Sequence, residues 1–70
     1  MDKHMLKGFQ RWVDDDRTRS ADLKRKREAL CDELDIARDP DLQRACQWMI
    51  AYIDEELMAR RDIERLRRRR

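Results

Sequence analysis

Seventy residues carry 18 Lys and Arg against 16 Asp and Glu, so 49% of the chain is charged while the formal net charge is only +2. A chain this short makes one domain with a marginal core and has little room for an enzyme. An apolar fraction of 40% excludes a disordered polyelectrolyte, and the single Val and single Thr leave little material for a sheet. One Gly and one Pro leave few turns. The abundance of Ala, Leu, Asp, Glu, Lys and Arg predicts an all-α protein.

The opening residues Met1-Asp2-Lys3-His4-Met5 lack the apolar stretch of a secretory signal. Met5 is an alternative start, so residues 1–4 carry no argument. The longest apolar run, Trp48-Met49-Ile50-Ala51-Tyr52-Ile53, falls far short of the ~20 residues that cross a bilayer. A cytoplasmic protein with no membrane segment is expected.

In chain order, Met5, Leu6, Phe9, Trp12 and Val13 have the spacing of a short amphipathic helix over residues 5–14. Gly8 weakens that helix by ~1 kcal/mol. Asp14-Asp15-Asp16-Arg17-Thr18-Arg19-Ser20 has no apolar side chain. Two readings are open: a solvated loop with Thr18 or Ser20 capping the next helix, or a polar stretch of one helix from Met5 to Ala37. The break is the favoured reading. Leu23, Leu30, Leu34 and Ala37 then mark one stripe of a helix over 20–37.

Arg38-Asp39-Pro40-Asp41 is the clearest punctuation. Asp39 suits an N-cap, Pro40 the first helical position, and Asp41 the positive end of the helix dipole. A proline also drives the residue before it out of helical geometry, so the preceding helix must stop by about Arg38. A connection of two or three residues makes the flanking helices antiparallel neighbours. The second of them runs over 40–66 on the stripe Leu42, Ala45, Met49, Ile53, Leu57, Ile63 and Leu66, with a basic tail at 67–70. The expected architecture is a single domain, 1–70: an antiparallel helical hairpin with a short N-terminal helix packed against it, able to dimerise into a helical bundle.

A turn centred between Arg38 and Asp39 sets the basic block 24–27 opposite 51–54, with Glu55 and Glu56 one turn away. Exposed pairs contribute only ~0–1 kcal/mol each, but the pattern disfavours slipped pairing. The same register sets Cys31 opposite Cys46. Two reduced core thiols are the favoured reading, and a disulfide at close helix approach is the alternative.

Little in the sequence points to catalysis or a cofactor. The one His stands at the N-terminal edge, no CxxC is present, and one Gly cannot build a phosphate loop. Neighbouring carboxylates in Asp14-Asp15-Asp16 and Asp54-Glu55-Glu56 point in different directions on a helix and read as solvated faces. No metal site and no enzymatic activity are expected. Arg60, Arg61, Arg65 and Arg67-Arg68-Arg69-Arg70 form a basic end that suits a helix C-terminus, an acidic protein surface or nucleic-acid phosphates. It has no aromatic residue to stack on bases. Phe9, Trp12, Trp48 and Tyr52 are read as core residues joining the N-terminal segment to the long helix, with Trp and Tyr also suited to anchor an interface.

Asp32-Glu33-Leu34-Asp35 followed by a turn resembles the inter-helix region of plasmid copy-number RNA-binding hairpins, a likeness that implies dimerisation into a four-helix bundle. Cys46-Gln47-Trp48-Met49-Ile50 resembles the signature of the short sporulation-regulating phosphatase hairpins only at Gln47, and Ile50 stands where that family has its functional Asp. No residue role follows from either.

Six apolar residues in succession at 48–53 cover every face of a helix, whereas a two-helix hairpin buries one. The segment around Phe9 and Trp12, a second copy of the chain or a foreign protein must cover the rest. The expected function is therefore that of a small non-enzymatic regulator, such as an inhibitor or antiactivator, that binds another protein or itself. Its expected contact residues are Trp48, Tyr52, Met58, Arg60, Arg61, Ile63, Arg65 and Leu66. Nucleic-acid binding through the Arg-rich end is the alternative.

Overall fold

The computed structural model describes residues 3–68. Arg69 and Arg70, the end of the expected basic tail, lie outside the described residues. The chain forms three helices, α1 (Lys3–Asp14), α2 (Ser20–Ile36) and α3 (Pro40–Arg68), and no strand occurs among the described residues. α2 and α3 pack together, and α1 lies against α3. Arg67 and Arg68 belong to α3 instead of a separate tail.

The α2–α3 connection follows local chemistry. α2 ends with Ala37 in an extended conformation, its N–H closing back on the Leu34 carbonyl at 3.3 Å. Pro40 opens α3, and the Asp39 carboxylate accepts the Asp41 N–H at 3.1 Å as an N-cap. The Gln43 side-chain amide then donates to the Ala37 carbonyl at 2.8 Å, tying the two helix ends together. Further from the turn, Arg27 pairs with Asp54 at 2.6 Å and Arg60 reaches Ser20 Oγ at 3.2 Å. The partners step down α2 as they step up α3.

The α1–α2 break is real, but its chemistry differs from the expected cap. Arg19 is the N-cap position of α2 and makes no side-chain cap bond, so neither Thr18 nor Ser20 caps the helix. A turn closes the loop instead: the Thr18 N–H donates to the Asp15 carbonyl at 3.0 Å, and the Arg17 N–H to Asp15 Oδ1 at 2.9 Å. That backbone bond and the Arg17 side chain hold the Asp15 carboxyl below its ordinary value. Thr18 is buried, so the loop is not wholly solvated.

The core consists of Val13, Leu23, Leu30, Cys46 and Ile53. Leu23 and Leu30 on α2, and Cys46 and Ile53 on α3, repeat the same two-turn step, so the stripes of the two helices stay in phase. Leu34, Met49, Ile50 and Leu57 pack around this centre with Phe9, Trp12 and Tyr52. Cys46, not Ala45, occupies the buried line of α3. Cys31 and Cys46 are unbridged, the first half-buried and the second fully enclosed. Burial raises the Cys46 thiol above its ordinary value, with Glu33 adding to the effect.

Candidate interaction surface

α1 is held to α3 by an aromatic cluster. Phe9 stands 6.1 Å from both Trp48 and Tyr52, ring centre to ring centre, and 6.3 Å from Trp12. Trp48 and Tyr52, one turn apart on α3, stack at 5.3 Å. These are the separations and tilts that aromatic rings favour. The Tyr52 hydroxyl donates to the Asp14 carboxylate at the end of α1, with both carboxylate oxygens at 3.0 Å. Partial burial, the Asp14 bond and the nearby Glu55 and Glu56 carboxylates all raise the Tyr52 hydroxyl above its ordinary value. Of the expected contact residues, Tyr52 is thus half-buried under α1, while Trp48 keeps 40% of its surface exposed.

Arg60 turns inward. Its Nη1 donates to the Thr18 carbonyl at 2.7 Å and to Ser20 Oγ at 3.2 Å, its Nη2 to the Asp15 carbonyl at 3.4 Å, and its Nε to Glu56 at 3.0 Å. The guanidinium supplies the planar fork that such a cluster of acceptors needs. Arg60 therefore anchors the α1–α2 loop onto α3.

Past Arg60, α3 continues for two turns, about 12 Å, with α2 already ended at Ser20. Ile63 and Leu66 are 51% and 68% exposed there, and Met58, just before Arg60, is 63% exposed. At ~100° per residue, Met58, Ala59, Ile63 and Leu66 share an arc of about 140°, with Asp62 inside it. Arg65 and Arg67 border the two edges of that arc, and Arg61 and Arg68 lie behind it. All four arginines are exposed. Met58, Ile63, Arg65 and Leu66 are thus brought together on one face, while Trp48, Tyr52 and Arg60 belong to contacts nearer the middle of the protein.

A second apolar surface lies at the opposite end of α3. A cleft of about 530 Å³ opens between α1 and α2, lined by Met5 and Phe9 from α1, Leu30 from α2, and Leu42, Ala45 and Met49 from α3. Lys26, Glu33, Asp39 and Asp41 form its rim, three carboxylates against one ammonium. Sequence periodicity assigned Leu42 and Ala45 to the packed stripe, but Leu42 is 40% exposed. The only available hint was the excess of apolar residues along the first half of α3. The cleft itself is bounded by all three helices together, an arrangement no local pattern encodes.

Among the described residues, no group of three or more His, Cys, Asp or Glu is placed to hold a metal ion. No helix there is long and apolar enough to cross a membrane. Comparison with protein-family models, with curated proteins and with solved structures finds no match for this chain.

Proposed function

We propose that this protein is a small non-enzymatic regulator, an inhibitor or antiactivator in kind, that acts by binding protein through a helical surface. In this reading α2 and α3 form an antiparallel hairpin braced by α1, and the far end of α3 is the part offered to a partner. The observation that carries the reading is the exposed apolar arc of Met58, Ile63 and Leu66, bordered by Arg65 and Arg67, of which Ile63 and Leu66 lie past the cover of α2. An uncovered apolar strip edged by arginines is the composition found at protein interfaces. Trp48, with an exposed flank, is suited to extend it as an anchor. The two unbridged cysteines suit a reducing cytoplasm as the place of action.

The exposed Arg61, Arg65, Arg67 and Arg68 also support the alternative, binding of nucleic-acid phosphates by the same end of α3. One pair of experiments separates the two. Co-purification of the tagged protein from its native host should recover a partner in stoichiometric amount, and the Ile63→Asp variant should lose it. Salt-sensitive binding of duplex DNA or RNA, lost on replacing the four arginines by Ala and retained by Ile63→Asp, would favour the alternative. Retention of the partner by Ile63→Asp would rule out the proposed surface.

A further inference from the structure

Resting on that reading, we infer that the partner of the distal end of α3 is the cleft of a second copy of the same chain. Two copies lie side by side with their α3 helices antiparallel. Each inserts the arc of Ile63 and Leu66 into the other's cleft over Leu42, Ala45 and Met49.

Three features of the structure argue for this occupant. The first is length. The uncovered part of α3 beyond Arg60 is two turns long, and the floor of the cleft from Leu42 to Met49 is also two turns. The second is charge. The cleft carries Glu33, Asp39 and Asp41 against Lys26, while the distal end carries Arg61, Arg65, Arg67 and Arg68 against Asp62 and Glu64. Asp41 also lies 4.0 Å from Arg44, but both side chains are more than 80% exposed, so that pair leaves the carboxylate open to a second cation. The third is position. α3 has 29 residues and is about 43 Å long, with the cleft beside its N-terminal half and the arc at its C-terminal end. Two antiparallel rods with this layout make both contacts at once, so the assembly closes as a two-fold dimer.

The closed arrangement also accounts for the apolar surface that one chain leaves uncovered. The distal end of α3 becomes a fourth helix beside α1, α2 and the first half of the partner's α3. The exposed Ile63 and Leu66 then meet Leu42, which is itself exposed in the single chain.

The test is sedimentation equilibrium of the full chain over a wide concentration range, with circular dichroism to confirm that each variant is folded. The expected species has twice the 8.7 kDa of one chain, and its dissociation constant rises with salt. Ile63→Asp puts a carboxylate against the acidic cleft, and Leu42→Lys puts a cation against the arginines. Each variant alone should dissociate roughly tenfold or more readily. An equimolar mixture of the two should regain the dimer, because one of its two contacts is then wholly native. Leu66→Asp, at a position 68% exposed, serves in place of Ile63→Asp should that variant fail to fold. A monomer at all concentrations, an open-ended ladder of species, or a mixture no better than its components overturns the inference. Should a monomeric wild type still capture a stoichiometric foreign partner that Ile63→Asp releases, the inference falls while the proposed function stands.

Discussion

Arg60, in the C-terminal half of α3, donates to the backbone carbonyl of Thr18 at 2.7 Å and so fastens the loop between α1 and α2 to a point 42 residues further along the chain. The same side chain is only 22% exposed and also holds Ser20, Asp15 and Glu56. Without it, the Thr18 carbonyl and the start of α2 lose a shared charged donor. Hydrogen bonds to a charged group contribute about 1.5–3 kcal/mol. Arg60→Ala should therefore lower stability by about 2 kcal/mol, and a domain of this size loses roughly 4–8 °C of melting temperature per kcal/mol. Arg60→Lys keeps the charge but not the fork, and thermal melts should place it between the wild type and Arg60→Ala.

Tyr52 and Asp14 form the polar part of the clasp between α3 and α1. Tyr52→Phe keeps the ring that stacks on Trp48 and meets Phe9, and removes only the hydroxyl between Tyr52 and the Asp14 carboxylate. The expected loss is about 0.5–1.5 kcal/mol, and it should be concentrated in α1. Hydrogen exchange is the measurement that resolves it. Amides of α1 should exchange several-fold faster in Tyr52→Phe, while those around Leu30 and Cys46 should keep their protection.

The sequence was most legible where structure depends on neighbouring residues. Asp39 caps α3 and Pro40 opens it because a carboxylate reaching the Asp41 N–H needs only local geometry. The break after Asp14 was legible for the same reason, since residues 14–20 include no apolar side chain. The chemistry inside that break was not, because Arg60 fixes the loop from far along the chain. Arg27 does meet Asp54, as the facing charge blocks imply, but it reaches about one turn further along α3 than the position directly opposite. A long guanidinium stem tolerates that offset. The exposure of Ile63 and Leu66 was legible from the unequal helix lengths, whereas Met58 is exposed because it lies about 140° around α3 from the buried Ile53. The cleft over Leu42 was not legible, because it is bounded by residues of all three helices, far apart in the chain.

Gly8 lies inside α1, where glycine disfavours a helix relative to alanine by ~0.5–1 kcal/mol. A Cβ at this position would have no side chain or neighbouring helix within 4 Å, and the backbone has no positive φ that would require glycine. Gly8→Ala should therefore stabilise α1 by about that amount and raise its exchange protection. The gain should partly offset Tyr52→Phe when the two are combined. A loss of stability in the single variant would mean that α1 is not a continuous helix through residue 8.

Cys46 should make the protein sensitive to alkaline pH. Its thiol is enclosed in the core, and burial, reinforced by Glu33, raises it above the ordinary value of 9.0. In the unfolded chain the thiol ionises near 9.0, whereas in the folded protein it holds its proton to higher pH. The folded state therefore binds more protons in that window, and stability falls as pH rises. The contribution is complete below 9.0 and is lost progressively as pH climbs toward the folded-state value. Tyr52, raised from 10.0 by partial burial and by Asp14, adds a second loss of the same sign at higher pH. Thermal melts between pH 8 and about 10 should show a falling melting temperature in the wild type. Cys46→Ala starts from a lower melting temperature, because it leaves a small cavity between Leu30 and Ile53, but should show a shallower decline over the same range. An equally steep decline in Cys46→Ala would show that the thiol keeps an ordinary ionisation in the folded protein and is not sealed in the core.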